Sequence, residues 1–283
     1  MDSRSGIDME HQQRNSNKTK ASNVPSLLSA GLALLYLVLL TALVFLPGQS
    51  LIERLQWLDS GVCAQLPTHS FYPGGERLPL CSRNTGIYLG FLVTLVTLYL
   101  TGRGQGQRLP AWPIALVLVC GILALVIDGS NSLLLDLGLP HLYRPHNLLR
   151  LATGMLTGLA MAVLVLPILN QLFWYHSNEQ RSVPSWRTLV QFLPALILCY
   201  FAVASQSGLI LYPVALLSTL GLLTALGSVN LIVIIAVSKR EQSFASYREL
   251  LPFFGLALLC AGGEMLFLAQ LKLLLLHALG ITL

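Results

Sequence analysis

Leu209–Val237 reads LILYPVALLSTLGLLTALGSVNLIVIIAV, 29 residues without one charged side chain. A helix needs about 20 residues to cross roughly 30 Å of hydrocarbon, so this run is long enough to span a bilayer with tilt. Six further apolar runs accompany it, at about Leu27–Leu46, Thr85–Thr101, Pro110–Ile127, Leu148–Leu169, Leu189–Ala204 and Leu251–Leu276. Backbone hydrogen-bond demand in lipid selects helices over open sheets. The expected fold is therefore an all-α, polytopic transmembrane helix bundle of about seven spans.

Composition agrees. Of 283 residues, 54% are hydrophobic and 10% charged, against about 25% charged in ordinary soluble domains. The mean hydropathy is +0.69. A net charge of +5 would suggest nucleic acid in a soluble protein, but here the cations are scattered between spans and report orientation, so no nucleic-acid partner is expected. Counting Lys and Arg with the N-terminus inside puts eleven in cytoplasmic segments and six outside (Arg54, Arg77, Arg83, Arg144, Arg150 and Lys272). That bias predicts N-in and C-out. Residues 1–26 are polar and without apolar period, which reads as a disordered cytoplasmic tail; residues 27–283 form the transmembrane domain, whose first run reads as a retained anchor. Two unusual segments then fall on the outer face, from about Pro47 to Asn84 and from Asp128 to Asn147. Gln49 to Leu58 reads as a short interfacial helix with Ile52, Leu55 and Trp57 toward lipid.

The outer stretch contains Cys63-Ala-Gln-Leu-Pro-Thr-His-Ser-Phe71, then Leu78-Pro-Leu-Cys-Ser-Arg-Asn-Thr-Gly-Ile-Tyr-Leu-Gly90. Downstream lie Asp128-Gly129, Asn147-Leu-Leu-Arg150 and Thr153-Gly154. These blocks, over roughly residues 60–165, resemble a family of prokaryotic integral membrane proteins defined as domain of unknown function 2085. The family pattern has a His where this chain has Ala64, an Arg at His69 and a third Cys at Asn84. The resemblance implies a Cys/His set suited to a metal or redox cluster, of which this chain keeps only Cys63 and Cys81. A four-ligand zinc site is not expected, and the resemblance implies no particular activity.

Cys120, Cys199 and Cys260 sit within apolar runs, where Cys behaves as a small apolar residue. Cys63 and Cys81 share the outer loop and are a candidate disulfide; closing such a loop contributes on the order of 3 kcal/mol to local order. A redox or metal role and free thiols are the alternatives. His69, His141 and His146 lie on the same face, but their spacing fits no metal motif, so no metal is assigned.

Arg83-Asn-Thr-Gly86-x-x-x-Gly90 and Arg150-Leu-Ala-Thr-Gly154-x-x-x-Gly158 are two versions of one device. Each sets an Arg just before Thr-Gly-x-x-x-Gly at the outer start of an inward-running span. Small residues four apart let helix backbones approach closely. A cation at a helix N-terminus opposes the dipole, which calls for an anion there. That anion is either Asp128, clasping Arg150, or a ligand such as a lipid phosphate or carboxylate; arginine snorkelling to the headgroup layer is the plain alternative. Arg83, Arg150, Asp128, Asn131 and Asn147 are thus the expected ligand-binding residues of an outward polar pocket, with Asp128 the candidate catalytic base if there is turnover. Glu264, near the middle of the last run, reads as a buried acid with Asn230 as partner.

No phosphate-binding loop, zinc-protease helix or nucleophile elbow occurs, and no cofactor is expected. The chain reads as a multi-pass protein of a prokaryotic cytoplasmic membrane that binds or helps transport an anionic, lipid-like or small ligand. A membrane-embedded enzyme acting on a lipid-linked substrate and a purely structural subunit are the alternatives. Membrane lipids are the expected partners; oligomeric state is not readable.

Overall fold

A computed structural model describes residues 45–176 and 178–279. The polar tail and nearly all of the first apolar run lie outside the described residues. From residue 46 onward the chain forms one unit, all-α, with no named strand among the described residues. Its helices are α1 (Leu51–Asp59), α2 (Ser82–Leu100), α3 (Trp112–Asp136), α4 (Asn147–Phe173), α5 (Trp186–Val190), α6 (Leu193–Ala204), α7 (Leu211–Val237) and α8 (Tyr247–Ala278). Five segments are long and apolar enough to cross a membrane: α3, α4, the Trp186–Ala204 pair of α5 and α6, Gly208–Val237 and α8. The run beginning at Thr85 becomes α2, 19 residues long, whose Arg83-Asn84 start dilutes its apolar character.

α2 is the centre of the bundle, packed along α4 and against α7; α3 covers α4, and α8 covers α7. Lipid tails are as apolar as leucine, so association of such helices depends on close van der Waals packing rather than on escape from water. The two Gly-x-x-x-Gly stripes supply it. A Cβ on Gly86 would meet Leu151 O at 2.4 Å, and one on Gly154 would meet Arg83 O at 2.4 Å. One turn on, a Cβ on Gly90 would meet Met155 O at 2.8 Å and one on Gly158 would meet Ile87 O at 2.2 Å. The paired contacts advance in the same direction along both chains, so α2 and α4 are parallel and touch backbone to backbone. Gly221 of α7 closes on Tyr88 O in the same way, at 2.2 Å.

α1 departs from the expected facing. Ile52, Leu55 and Leu58 are buried in the protein, and Ile52 and Leu55 pack with Phe71, Leu89 and Leu151. The apolar stripe of α1 docks on the bundle, where the sequence suggested lipid. Ser50 caps α1, accepting from Glu53 N–H at 3.2 Å. At its other end Asp59 is fully buried, its Oδ2 accepting from Thr219 Oγ1 of α7 at 2.8 Å. Burial pushes the Asp59 carboxyl up from 3.8 to about 7.

For Glu264 the expected Asn230 partner is found and the expected burial is not. It is exposed on α8, with Asn230 Nδ2 of α7 donating to its Oε2 at 3.1 Å. The acid sits on the outer face of the helix pair, not in the interior. Lys272 is turned the other way, donating to Ser60 O at 3.2 Å and Cys63 O at 3.5 Å.

The α2–α4 crossing predicts that Gly158→Ala lowers stability by about 1–3 kcal/mol through overpacking, while Gly263→Ala, with nothing within 4 Å of the new Cβ, leaves it unchanged; thermal unfolding in detergent compares the two. Asp59 gives a pH prediction. The native state holds this proton more tightly than the unfolded chain, so its contribution is complete below about pH 4 and is lost as pH rises to about 7. Asp59→Asn keeps an acceptor for Thr219 and does not ionise, so the midpoint difference between variant and wild type should grow in the variant's favour across that window.

Candidate functional site

The sequence ended the third span near Ile127, but α3 runs on to Asp136. Asp128, Asn131 and Ser132 are thus one helical face, three and four residues apart, and all three are buried. The helix stops at Gly138, whose φ of +69° is the left-handed geometry glycine adopts at a helix end. Gly138 N–H and Leu139 N–H return to Leu135 O and Leu134 O at 3.0 and 2.8 Å.

The parallel start of α2 and α4 brings Arg83 and Arg150 to this face. Arg83 Nη2 donates to Asp128 Oδ2 at 2.6 Å, to Asp128 O at 3.2 Å and to Ser132 Oγ at 3.0 Å. The Asp128 ion pair therefore belongs to Arg83, and the expected Asp128–Arg150 clasp is corrected. The reason is rotational: Arg150 enters the cluster on the far side of Ser132. Its Nε and Nη2 both lie 3.4 Å from Ser132 Oγ, and its Nη1 donates to Asn147 Oδ1 at 2.8 Å. No carboxylate of the described residues lies within 4.0 Å of this guanidinium, although Arg150 is only 4% exposed. Arg83 Nε is buried and has no partner.

The segment after α3 closes over the cluster. Asn131 Oδ1 accepts from Leu142 N–H and Tyr143 N–H at 2.7 and 3.3 Å, and its Nδ2 donates to Tyr143 O at 2.8 Å. Asn131 is therefore a loop anchor, its amide bonded through both the oxygen and the nitrogen. Tyr143 OH donates to Asp128 Oδ1 at 2.9 Å; burial first, then this bond, raises the phenol above its usual range. Each Asp128 carboxylate oxygen thus accepts one side-chain hydrogen bond, Oδ1 from Tyr143 and Oδ2 from Arg83. Asn147 Nδ2 reaches Ser70 O at 3.2 Å. The five expected site residues do come together, but as a closed polar cluster rather than an outward-opening pocket. Tyr143 was not foreseen and has no sequence signal; Ser132 had one, its position four residues after Asp128.

His69 Nε2 lies 3.2 Å from Asp136 Oδ1. Burial, and then the charge of Arg150, lower the imidazole pKa, so it is neutral at pH 7 and donates to the carboxylate. His146 caps α4, its Nδ1 accepting from Leu148 N–H at 3.3 Å. No group of three metal-ligating side chains occurs among the described residues. Cys63 and Cys81 are adjacent free thiols here, with Cys81 N–H donating to Cys63 Sγ at 3.3 Å; the expected bridge is not formed in this structure. At the opposite end of the bundle an apolar cavity of about 310 Å³ is lined by Phe91, Tyr99, Phe173, Trp174, Tyr247 and Phe254 among others.

The cluster separates two roles. Asp128→Asn strips the countercharge from Arg83 and is expected to cost on the order of 3 kcal/mol. Arg150→Gln removes a buried cation that has no carboxylate at hand, and is expected to leave the unfolding midpoint unchanged or higher.

Residues 63–164 match the family model described as Predicted membrane protein (DUF2085). Over 114 residues the chain is 27% identical to an uncharacterized protein of Methanocaldococcus jannaschii, covering 40% of this chain and 67% of that protein. No solved structure matches. The matched segment, 63–164, holds the thiol pair and the two-arginine cluster, and the match is to the same family that its motif blocks resemble.

Proposed function

We propose that this multi-pass membrane protein binds an anionic, lipid-like or small ligand at the Arg83–Arg150 pair, on the outer face of a prokaryotic cytoplasmic membrane. The observation that carries the reading is the imbalance of charge. Two guanidiniums converge on one hydroxyl, Ser132 Oγ, with one carboxylate, Asp128, paired to Arg83 alone. Arg150 has only neutral partners, and the unpartnered Arg83 Nε is a donor in waiting. The N-termini of two parallel helices lie alongside and add positive potential. A phosphate or carboxylate satisfies forked guanidinium donors two at a time. Admission of such a group requires release of the 137–146 segment, which hangs on Asn131 and on the Tyr143–Asp128 bond.

The structural-subunit reading has one observation in its favour, that most polar groups of the cluster already bond to one another. The enzyme reading takes Asp128 as base, and in this structure Arg83 and Tyr143 already donate to its two oxygens. Orientation with the N-terminus in the cytoplasm places this end outside and the more basic loops, with Arg103, Arg108, Arg181, Arg187, Lys239, Arg240 and Arg248, inside.

Native mass spectrometry of the gently purified full chain is the test. Wild type is expected to retain anionic lipid or another anion, and Arg83→Gln/Arg150→Gln to lose it. Equal retention by both overturns the reading and leaves the arginines a packing role.

A further inference from the structure

A second polar node lies at the same end of the bundle, outside the arginine cluster. Trp57, Cys63, Cys81 and Tyr88 pack together with Leu58, Leu80, Leu222 and Met265. Cys81 is the residue that precedes α2 and makes no capping bond with its own side chain. Its backbone N–H instead points at Cys63 Sγ, 3.3 Å away. Four residues before Cys63, and bonded to it through Cys63 N–H and Asp59 O at 3.0 Å, stands Asp59. Its side chain is fully buried, and Oδ1 has no partner.

We propose that Cys63 and Cys81 are a reversible dithiol–disulfide couple that exchanges with a thiol or disulfide partner, with Asp59 as the group that holds the exchanged proton.

Three features support this. The Cys81 backbone N–H donates to Cys63 Sγ at 3.3 Å; the neighbouring Cys81 thiol, and then this N–H, hold Cys63 below the usual thiol range against the opposite pull of burial. The Cys63 thiol, and then burial, push Cys81 up. A thiolate stabilised in this way is a good leaving group, and stabilising the reduced form makes a couple more oxidising. The exposure is complementary: Cys63 is 4% exposed, whereas Cys81 is half-buried and the more accessible of the two. Finally, a carboxyl raised to about 7 by burial can hold and release a proton near neutrality, and its buried Oδ1 has no hydrogen-bond partner.

In the exchange, a partner thiolate attacks Cys81 Sγ of the oxidised pair. The Cys63–Cys81 bond breaks and its electron pair leaves on Cys63 Sγ, received by the Cys81 N–H. A second partner thiolate then attacks the partner sulfur bonded to Cys81. The partner disulfide closes, and the electron pair returns to Cys81, which takes its proton from Asp59. The partner dithiol gives up two electrons, and its two protons pass to solvent before the attacks. The protein pair gains both electrons and one proton; Asp59 then recovers its proton from solvent, so one of the two released protons is taken up and the other balances the Cys63 thiolate. Run backwards, the reduced pair reduces a disulfide.

The test uses the full chain in detergent, equilibrated with glutathione buffers of varied thiol-to-disulfide ratio, alkylated and mapped by mass spectrometry. Wild type should form the Cys63–Cys81 bond reversibly, and Cys63→Ser should accumulate a mixed disulfide at Cys81. A reduced peptide with two cysteines, offered to the oxidised protein, distinguishes sources: its oxidation points to a protein thiol partner, and exchange with glutathione alone points to a small one. Asp59→Asn should slow closure of the pair at least tenfold and remove an inflection near pH 7 from the rate profile. The groups facing the pair are Asp59 of α1, Arg83 and Tyr88 of α2 and Lys272 of α8, so Lys272→Gln should leave that inflection in place. Failure of wild type to form the bond at any ratio overturns the couple; an unchanged profile in Asp59→Asn overturns the role of the acid. Neither outcome bears on anion retention at Arg83 and Arg150.

Discussion

The architecture depends on one contact, the backbone crossing of α2 on α4 at Gly86, Gly90, Gly154 and Gly158. With Cβ positions 2.2–2.8 Å from backbone atoms of the facing helix, only glycine permits the approach. In a medium that gives no hydrophobic reward for helix pairing, that approach replaces area burial as the source of attraction. It also dictates polarity. Two helices held in parallel with aligned starts place their N-terminal dipoles, Arg83 and Arg150, side by side. This is an unfavourable concentration of positive charge, and α3 answers it from a third direction with Asp128 and Ser132. The cluster is a consequence of the crossing, and its single carboxylate leaves the account of charge open.

Why the partner of Asp128 was not legible follows from the same geometry. Spacing places Arg83 and Arg150 at equivalent points of two similar motifs, so either is an equal match for an acid on α3. The choice is made by the rotation of α3 about its axis, which sequence periodicity does not report. The extent of α3 was illegible for a related reason. Asp128, Asn131 and Asp136 looked like the end of an apolar run, when polar residues at i, i+3 and i+8 are equally one face of a helix that continues. Hydropathy locates what lipid requires, and five of the seven runs correspond to segments long and apolar enough to cross a membrane among the described residues; it is silent on polar faces that meet one another.

Glu264 and Asp59 show the complementary failure. A carboxylate within an apolar run is expected to face the interior, but α8 turns Glu264 outward to Asn230. Asp59, one residue beyond the helix expected over Gln49–Leu58, drew no reading from its sequence and is fully buried. Burial depends on what docks: α1 lies with Ile52, Leu55 and Leu58 on the bundle, and Asp59 follows them in because it shares their face. The glycine stripes and the Cys63/Cys81 proximity were readable because each is a short-range pattern with one geometric solution. The long-range pairings were not.

The two polar nodes are joined by very little chain. Cys81 precedes α2, and Arg83 lies in its first turn, so anything that fixes Cys81 bears on the helix start that aims Arg83. Position is shared through a rigid element, because the Gly86–Gly154 contact allows the first turn of α2 no independent sliding. By linkage, a change in anion affinity on forming the Cys63–Cys81 bond would be matched by an equal change in the oxidation equilibrium on binding the anion. The crossing also bounds the effect. A helix start held by backbone contact tilts or rotates only slightly, so coupling between the nodes would act through the direction of the Arg83 side chain rather than through displacement of α2.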